Sequence, residues 1–160
     1  MGAGKSAVGK IVSEYLKLEY YDLDDLIEVE VGMSISEIFE KYGEEDFRDI
    51  ESKTLKNIAQ LKYRVIATGG GVILREVNWN FMKSNGITVY LKASIDKLWN
   101  RIKDDKSRPL LKVDNPYNKM KELLSFRSPL YEKADIIIDI DNLTAEEVAK
   151  EVISSLKQLI

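Results

Sequence analysis

A chain of 160 residues that is 44% hydrophobic and 32% charged has enough apolar material for one sizeable core, so a single soluble domain is expected. It contains no cysteine and no histidine, which excludes disulfides, thiolate metal sites, cysteine nucleophiles and imidazole bases and leaves acid–base chemistry to Asp, Glu, Lys or Tyr. A net charge of −3, no bilayer-length apolar run and no signal-peptide pattern point away from nucleic acid and membranes and toward a cytoplasmic protein.

The first element starts immediately. Gly2 to Ser6 spells GAGKS, and the AVGKIVSEYLKL that follows has a helical pattern. This matches the latter part of a phosphate loop: glycines let backbone N–H groups approach phosphate, Lys5 adds a point charge, and Ser6 offers a hydroxyl to Mg²⁺. The pattern is incomplete, because the first glycine of G-x-x-x-x-G-K-[ST] would fall two places ahead of Met1. A glycine-rich start to an ordinary helix is the plain alternative.

Leu18 to Tyr21 is a short apolar run expected to form a strand. Asp22 and Asp24 follow at its carboxyl end, where open parallel sheets place their ligand crevices. Two carboxylates there can divide labour, one toward a metal and one toward a substrate hydroxyl; either can instead cap the helix through Leu26 and Ile27. Ser34 and Glu37 then form a capping-box pattern ahead of Ile38 and Phe39. A further helix is expected through Phe47, Ile50, Thr54, Ile58 and Leu61. Beside that stripe Arg48 and Glu51 sit three residues apart. They fit a surface ion pair worth roughly a few tenths of a kcal/mol, or an arginine gripping a substrate carboxylate with Glu51 orienting it. The spacing does not choose between the two.

Val65 to Thr68 is the next expected strand, and the consecutive glycines Gly69, Gly70 and Gly71 follow it. Such a run costs chain entropy, so it suggests backbone brought close to a ligand in preference to a plain turn. After a third strand at Ile87 to Leu91, the segment DDKSRPLLKVDN, Asp104 to Asn115, interrupts the pattern with charges and a proline and is expected to be a mobile loop. It carries Arg108. Arg101 precedes it, and Arg127 lies in SFRSPLY near the end of a helix. Taken singly each is an ordinary surface cation, although an arginine on a lid can stabilise a phosphoryl group in transfer. Ile136 to Ile140 is the fourth run, and Thr144 with Glu147 caps a last helix that has Val148, Val152, Ile153 and Leu156 on one face. Short apolar runs alternating with helices predict an α/β fold, a mostly parallel sheet covered by helices.

Taken in order, GAGKSAVGK, DLDDLIE, SISEIFEKYGEEDFRDIE, ATGGGVI, RPLL and FRSPLY resemble shikimate kinase, a P-loop family of the nucleoside-monophosphate-kinase-like group, over essentially the whole chain. The resemblance implies a three-layer kinase fold with a parallel sheet in the order 2-3-1-4-5 flanked by helices. It implies one kinase domain over residues 1–160, with a substrate-binding segment at about 24–61 and a lid at about 103–116. The implied reaction moves the γ-phosphate of ATP to the 3-hydroxyl of shikimate, giving shikimate 3-phosphate and ADP on the route to chorismate and the aromatic amino acids.

By the same resemblance, Gly2, Ala3, Gly4, Lys5, Ser6 and Ala7 would bind ATP, with Arg101 against the adenine and the lid residue Arg108 on the phosphates. Ser6 would hold Mg²⁺, with Asp22 nearby through water. Asp24, Arg48, Gly69, Gly70, Gly71 and Arg127 would bind shikimate, the arginines on its carboxylate. Lys5, Asp24 and Arg108 would be catalytic. Phosphoryl transfer relies on positioning and electrostatics, so a chain without His or Cys loses nothing it needs. The implied enzyme is a monomer with ATP and shikimate as its only partners.

The four apolar runs correspond to the second through fifth strands of that fold, and the first, central strand has no counterpart. The expectation is therefore a natural chain that begins roughly ten residues earlier, with an apolar strand and a glycine. Two other readings stay open. One is another small-molecule P-loop kinase, gluconate-kinase-like, which would not be expected to repeat the DLD, FRDIE, GGG and FRSPLY set. The other is a catalytically impaired nucleotide-binding domain, since each orphaned buried backbone group costs about 1–3 kcal/mol against a total stability of about 5–15 kcal/mol.

Overall fold

In the computed structural model, which describes residues 1–159, helices alternate with four short strands. The order is α1 (Lys5–Leu16), β1 (Glu19–Asp22), α2 (Leu23–Val31), α3 (Ile35–Ala59), β2 (Arg64–Ala67), α4 (Glu76–Asn85), β3 (Val89–Lys92), α5 (Ile95–Ile102), α6 (Pro116–Tyr131), β4 (Ile136–Asp139) and α7 (Ala145–Leu159). Every expected strand is present, displaced by a residue or two: Leu18 and Ile87 fall just before their strands, Thr68 and Ile140 just after. The expected helix ends at Ala59, and Leu61 lies beyond it, 52% exposed, because the chain must turn there into β2.

Local chemistry accounts for the boundaries. Ser34 Oγ accepts from the Glu37 backbone N–H at 3.2 Å while Glu37 returns a bond to the Ser34 N–H at 2.7 Å, a complete capping box that starts α3. Thr144 and Glu147 repeat it ahead of α7, at 3.3 and 2.7 Å. Gly43, at φ 83° and ψ 175°, interrupts α3, so the two helical patterns of the sequence join across a kink that only glycine takes without strain.

The strands pair in parallel, as the alternation requires, but as two ribbons instead of one sheet. β1 lies on β2 with Glu19 opposite Arg64 and Asp22 opposite Ala67; β3 lies on β4 with Val89 opposite Ile136 and Lys92 opposite Asp139. Among the described residues no strand joins the ribbons. A cavity of about 840 Å³ separates them, with consecutive residues Arg64 to Thr68 along one wall and Thr88 to Leu91 along the other.

The core is divided in the same way. One cluster joins Val8 and Val12 of α1 to Leu91, Ile138 and the α7 residues Val148 and Val152; the other joins Leu23 and Ile27 of α2 to Ile38, Phe47 and Leu55 of α3 and to Trp79 of α4. The segment between α5 and α6 is not wholly irregular. Pro109–Leu111 forms a 3-10 turn with Leu111 buried, and Lys112 Nζ reaches Ser36 Oγ at the start of α3 at 2.8 Å. Among the described residues no helix is long and apolar enough to cross a membrane.

Candidate active site

The carboxyl ends of β1 and β2 and the start of α1 converge on one crevice. Gly2 and Gly4 have φ of 69° and 79°, the left-handed region, and no side chain caps the first turn of α1. Its N–H groups therefore point outward with the positive end of the helix dipole, which suits a phosphate. Lys5 begins the helix. Its pKa is lowered, chiefly by burial and secondarily by Arg108, against the pull of Asp24 and Asp22.

Ser6 Oγ donates to Asp22 Oδ2 at 2.7 Å, and Asp22 Oδ1 accepts from the Asp24 N–H at 3.1 Å. The capping role of Asp22 is therefore met by one oxygen, and the other lies beside Ser6. A hydroxyl and a carboxylate at the mouth of a phosphate loop are the hard oxygen donors that Mg²⁺ takes, alongside water and nucleotide phosphate. Among the described residues no group of three or more His, Cys, Asp or Glu gathers as a metal cage.

Asp24 stands at the junction between the phosphate loop and a second, deeper polar pocket. Its pKa is raised, first by burial and then by the neighbouring Asp22 charge, with Lys5 opposing. Beyond it, Arg48 is buried and donates to Glu51 Oε2 at 2.9 Å, with a longer contact to Glu44 at 3.3 Å. Glu51 is fully buried, and burial raises its pKa against the charge of Arg48. The Arg48–Glu51 pair therefore lies inside the molecule, not on the surface. Arg127 is buried as well, at 4% exposure.

Three atoms in this pocket, Arg48 Nε, Arg127 Nε and Glu51 Oε1, are buried without a hydrogen-bond partner among the described residues. Folded proteins rarely leave such atoms unsatisfied, and two guanidinium groups beside an unmatched carboxylate oxygen suit a ligand carrying both a carboxylate and hydroxyls.

The glycine run forms the floor. A side chain at Gly71 would collide with the Arg48 guanidinium, and a Cβ at Gly69 would sit 3.0 Å from Asp24 Oδ1 and 3.2 Å from Glu51 Oε1. Gly70 adjoins Arg127, whose Nη1 lies 3.7 Å from where a Cβ would be. Close approach to these side chains is what requires glycine here, where the run by itself suggested approach to a ligand.

Arg108 forms an ion pair with Asp105 at 3.0 Å and is near enough to lower the pKa of Lys5. Arg101 donates to the Gly2 carbonyl at 2.9 Å and so braces the loop. It also lines a smaller cavity of about 210 Å³ with Ala3, Gly4, Ala7, Ile140 and Leu143, next to the phosphate loop.

One contributor escapes a reading of single motifs. Tyr131, four residues after Arg127 on α6, donates its hydroxyl to the Gly70 carbonyl at 2.6 Å while its ring stacks on Tyr90. The helical spacing of Arg127 and Tyr131 was the available signal. Tyr131 is a positioning residue that fixes the glycine floor against Arg127. Tyr131→Phe should raise the KM for the pocket's substrate about 5–10-fold with kcat within about twofold, as fits the loss of one hydrogen bond worth about 1 kcal/mol. Steady-state kinetics check this, and a fall in kcat alone would contradict it.

A family model described as shikimate kinase matches residues 1–157. The chain belongs to the shikimate kinase family. A shikimate kinase from Thermodesulfovibrio yellowstonii is 49% identical over 159 residues, covering 99% of this chain and 92% of that one. One from Caldanaerobacter subterraneus is 46% identical, covering 96% and 90%. Among solved structures, shikimate kinase from Acinetobacter baumannii in complex with shikimate superimposes with a TM-score of 0.96 at 39% identity, covering 99% of this chain and 89% of that one. A gluconokinase from Sinorhizobium meliloti, at 16% identity and a TM-score of 0.67, shares the fold alone. As a shikimate kinase family member the chain has the α/β kinase fold that the resemblance implies, built from parallel strands flanked by helices.

Proposed function

We propose that this chain is an ATP-dependent shikimate kinase in which Lys5, Asp24 and Arg108 act on the reacting groups. The observation that carries the reading is the position of Asp24: a half-buried carboxylate with the phosphate-loop lysine on one side and the Arg48, Glu51 and Arg127 pocket on the other. The shikimate carboxylate lies against Arg48 and Arg127 over the floor of Gly69, Gly70 and Gly71, which presents the 3-hydroxyl to Asp24. The N–H groups after Gly2, Ala3 and Gly4 hold the ATP phosphates, Ala7 and Arg101 flank the smaller cavity that takes the adenine, and Arg108 closes over the phosphates with the lid at about 103–116.

In the transfer, the 3-hydroxyl oxygen forms a bond to the γ-phosphorus and the bond to the bridging β–γ oxygen breaks. The hydroxyl proton passes to the Asp24 carboxylate, and ADP leaves with the electron pair. Lys5 and Arg108 offset charge on the transferring oxygens. Ser6 and Asp22 are the residues that would hold Mg²⁺, which when bound would offset charge on the nucleotide phosphates. The enzyme works as a monomer in the cytoplasm, with no nucleic acid or membrane partner.

Release of ADP on mixing the chain with Mg·ATP and shikimate tests the function, with gluconate as the competing acceptor. Turnover on shikimate alone is expected; a chain that binds ATP yet releases no ADP with shikimate would defeat the assignment. The pH profile tests the base. Asp24 must be ionised to accept the proton, and its raised pKa in the free chain places the acid limb of kcat/KM above 3.8, the ordinary aspartate value. Activity is present above that limb and lost as pH falls through it; a limb at or below 3.8 would contradict the role.

A further inference from the structure

The half of α3 that carries Arg48 and Glu51 is not a straight continuation of the half before it. Gly43, at φ 83° and ψ 175°, breaks the helix between them, so the residues from Glu44 onward take their position from what they pack against. That position matters most at one point: the Gly71 backbone lies so close to the Arg48 guanidinium that no side chain fits between them. The segment after Gly71 is itself well fixed to α4. Asn78, fully buried, donates Nδ2 to the Val72 carbonyl at 2.9 Å, and Trp79 donates Nε1 to the Ile73 carbonyl at 3.1 Å. Those bonds hold the glycine floor to α4, and neither reaches α3.

The polar link to α3 comes from Arg75. Its Nη1 donates to Asp49 Oδ1, and its Nη2 donates to Glu45 Oε2 at 2.9 Å, with a longer contact to the Glu45 carbonyl at 3.4 Å. Glu45 and Asp49 are four residues apart, so both lie on one face of the helix just past the kink, and Arg48 stands between them in the chain. Local helix chemistry does not account for an arginine here. Arg75 is the N-cap of α4, a position that favours Ser, Thr, Asp or Asn, and it makes no capping bond. A cation also lies unfavourably against the positive end of the helix dipole. A residue that breaks a local rule is expected to serve something beyond its own helix.

We propose that Arg75 is a positioning residue for the carboxylate end of the substrate pocket. It clamps Glu45 and Asp49 to the segment that leaves the glycine floor, and so sets Arg48 at the spacing from Gly71 in which its buried Nε stays open for a ligand oxygen. Arg75 acts through Arg48 and not on the reacting groups. The proposal rests on the shikimate reading only for the identity of the ligand. The plain alternative is an ion pair that merely joins α3 to α4. Exposed pairs contribute little to stability, and one with no further role would leave ligand affinity alone.

Arg75→Met keeps the aliphatic stem and removes the clamp. It should raise the Kd and the KM for shikimate about 3–10-fold, with kcat within about twofold and the KM for ATP unchanged. The double variant Glu45→Gln with Asp49→Asn should match it, and adding Arg75→Met to that pair should cost nothing further, since the three residues act as one unit. The Glu45 and Asp49 side chains are 89% and 71% exposed, so the gap between the unaltered chain and Arg75→Met should narrow as salt rises from about 0.05 to about 0.5 M. Calorimetric titration and steady-state kinetics measure these effects. Amide hydrogen exchange of Arg48 to Glu51, with no ligand present, reads the helix directly; it should be about threefold or more faster in Arg75→Met, with the amides of α7 unchanged. Unchanged shikimate affinity in Arg75→Met, an equal rise in the KM for ATP, additive losses in the triple variant or a gap that salt leaves as it was would each overturn the proposal. If the unaltered chain binds no shikimate, the kinase reading fails by itself and exchange decides the clamp, equal rates overturning it.

Discussion

Asp24→Asn should lower kcat by about 10²–10⁴-fold, the range for removing a positioned general base, while ATP still binds and the thermal midpoint does not fall. The last expectation follows from the sign of the pKa shift. Asp24 has a raised pKa in the folded chain, because burial and the Asp22 charge disfavour its ionised form. The folded state therefore holds the proton more tightly than the unfolded state, and stability declines as pH rises from the ordinary aspartate value through the raised one. An uncharged amide of the same shape removes that cost. A variant that is inactive but no less stable identifies strain kept for function. Substantial turnover in Asp24→Asn would take Asp24 out of the mechanism, and loss of ATP binding would show that its role is to hold the crevice together.

Arg48→Met should destabilise the fold by about 3–5 kcal/mol, the cost of leaving a buried ionised partner unpaired. Glu51 is fully buried, and its bond from Arg48 Nη1 at 2.9 Å is its one hydrogen bond among the described side chains. The loss is largest where Glu51 would be ionised, so the variant should regain stability as pH is lowered. The double variant Arg48→Met with Glu51→Leu separates architecture from recognition. Removing both charges should restore most of the stability, since a buried pair can be exchanged for apolar residues at little net cost. Shikimate binding should remain lost, because the cation proposed to receive its carboxylate is gone. Urea unfolding and calorimetric titration with shikimate measure the two effects. Recovery of binding in the double variant would show that Arg48 serves Glu51 alone.

Local signals in the chain carried far. Both capping boxes form, and every apolar run becomes a strand within a residue or two, because caps and periodicity act over a few neighbours and need no distant partner. GAGKS at the start of a helix, DLD at a strand end and GGG after another strand each name a place in the fold as well as a residue type, so the crevice follows once the strands are parallel. The ordered motifs carried the family resemblance, and the match over residues 1–157 establishes membership.

Other features depend on contacts between residues far apart in the chain. Arg48 and Glu51 share a helix spacing that exposed pairs also have; their burial comes from the Gly71 backbone and from the packing of α2 and α4 on α3. Tyr131 ends α6, and its hydroxyl reaches the Gly70 carbonyl sixty-one positions away. Arg101 braces Gly2 across ninety-nine positions. The sequence by itself determined four parallel strands and the residues at their carboxyl ends, through periodicity and glycine chemistry. Only the assembled chain decided which strands pair and which buried atoms stay unmatched, because pairing and desolvation depend on what the rest of the fold brings alongside.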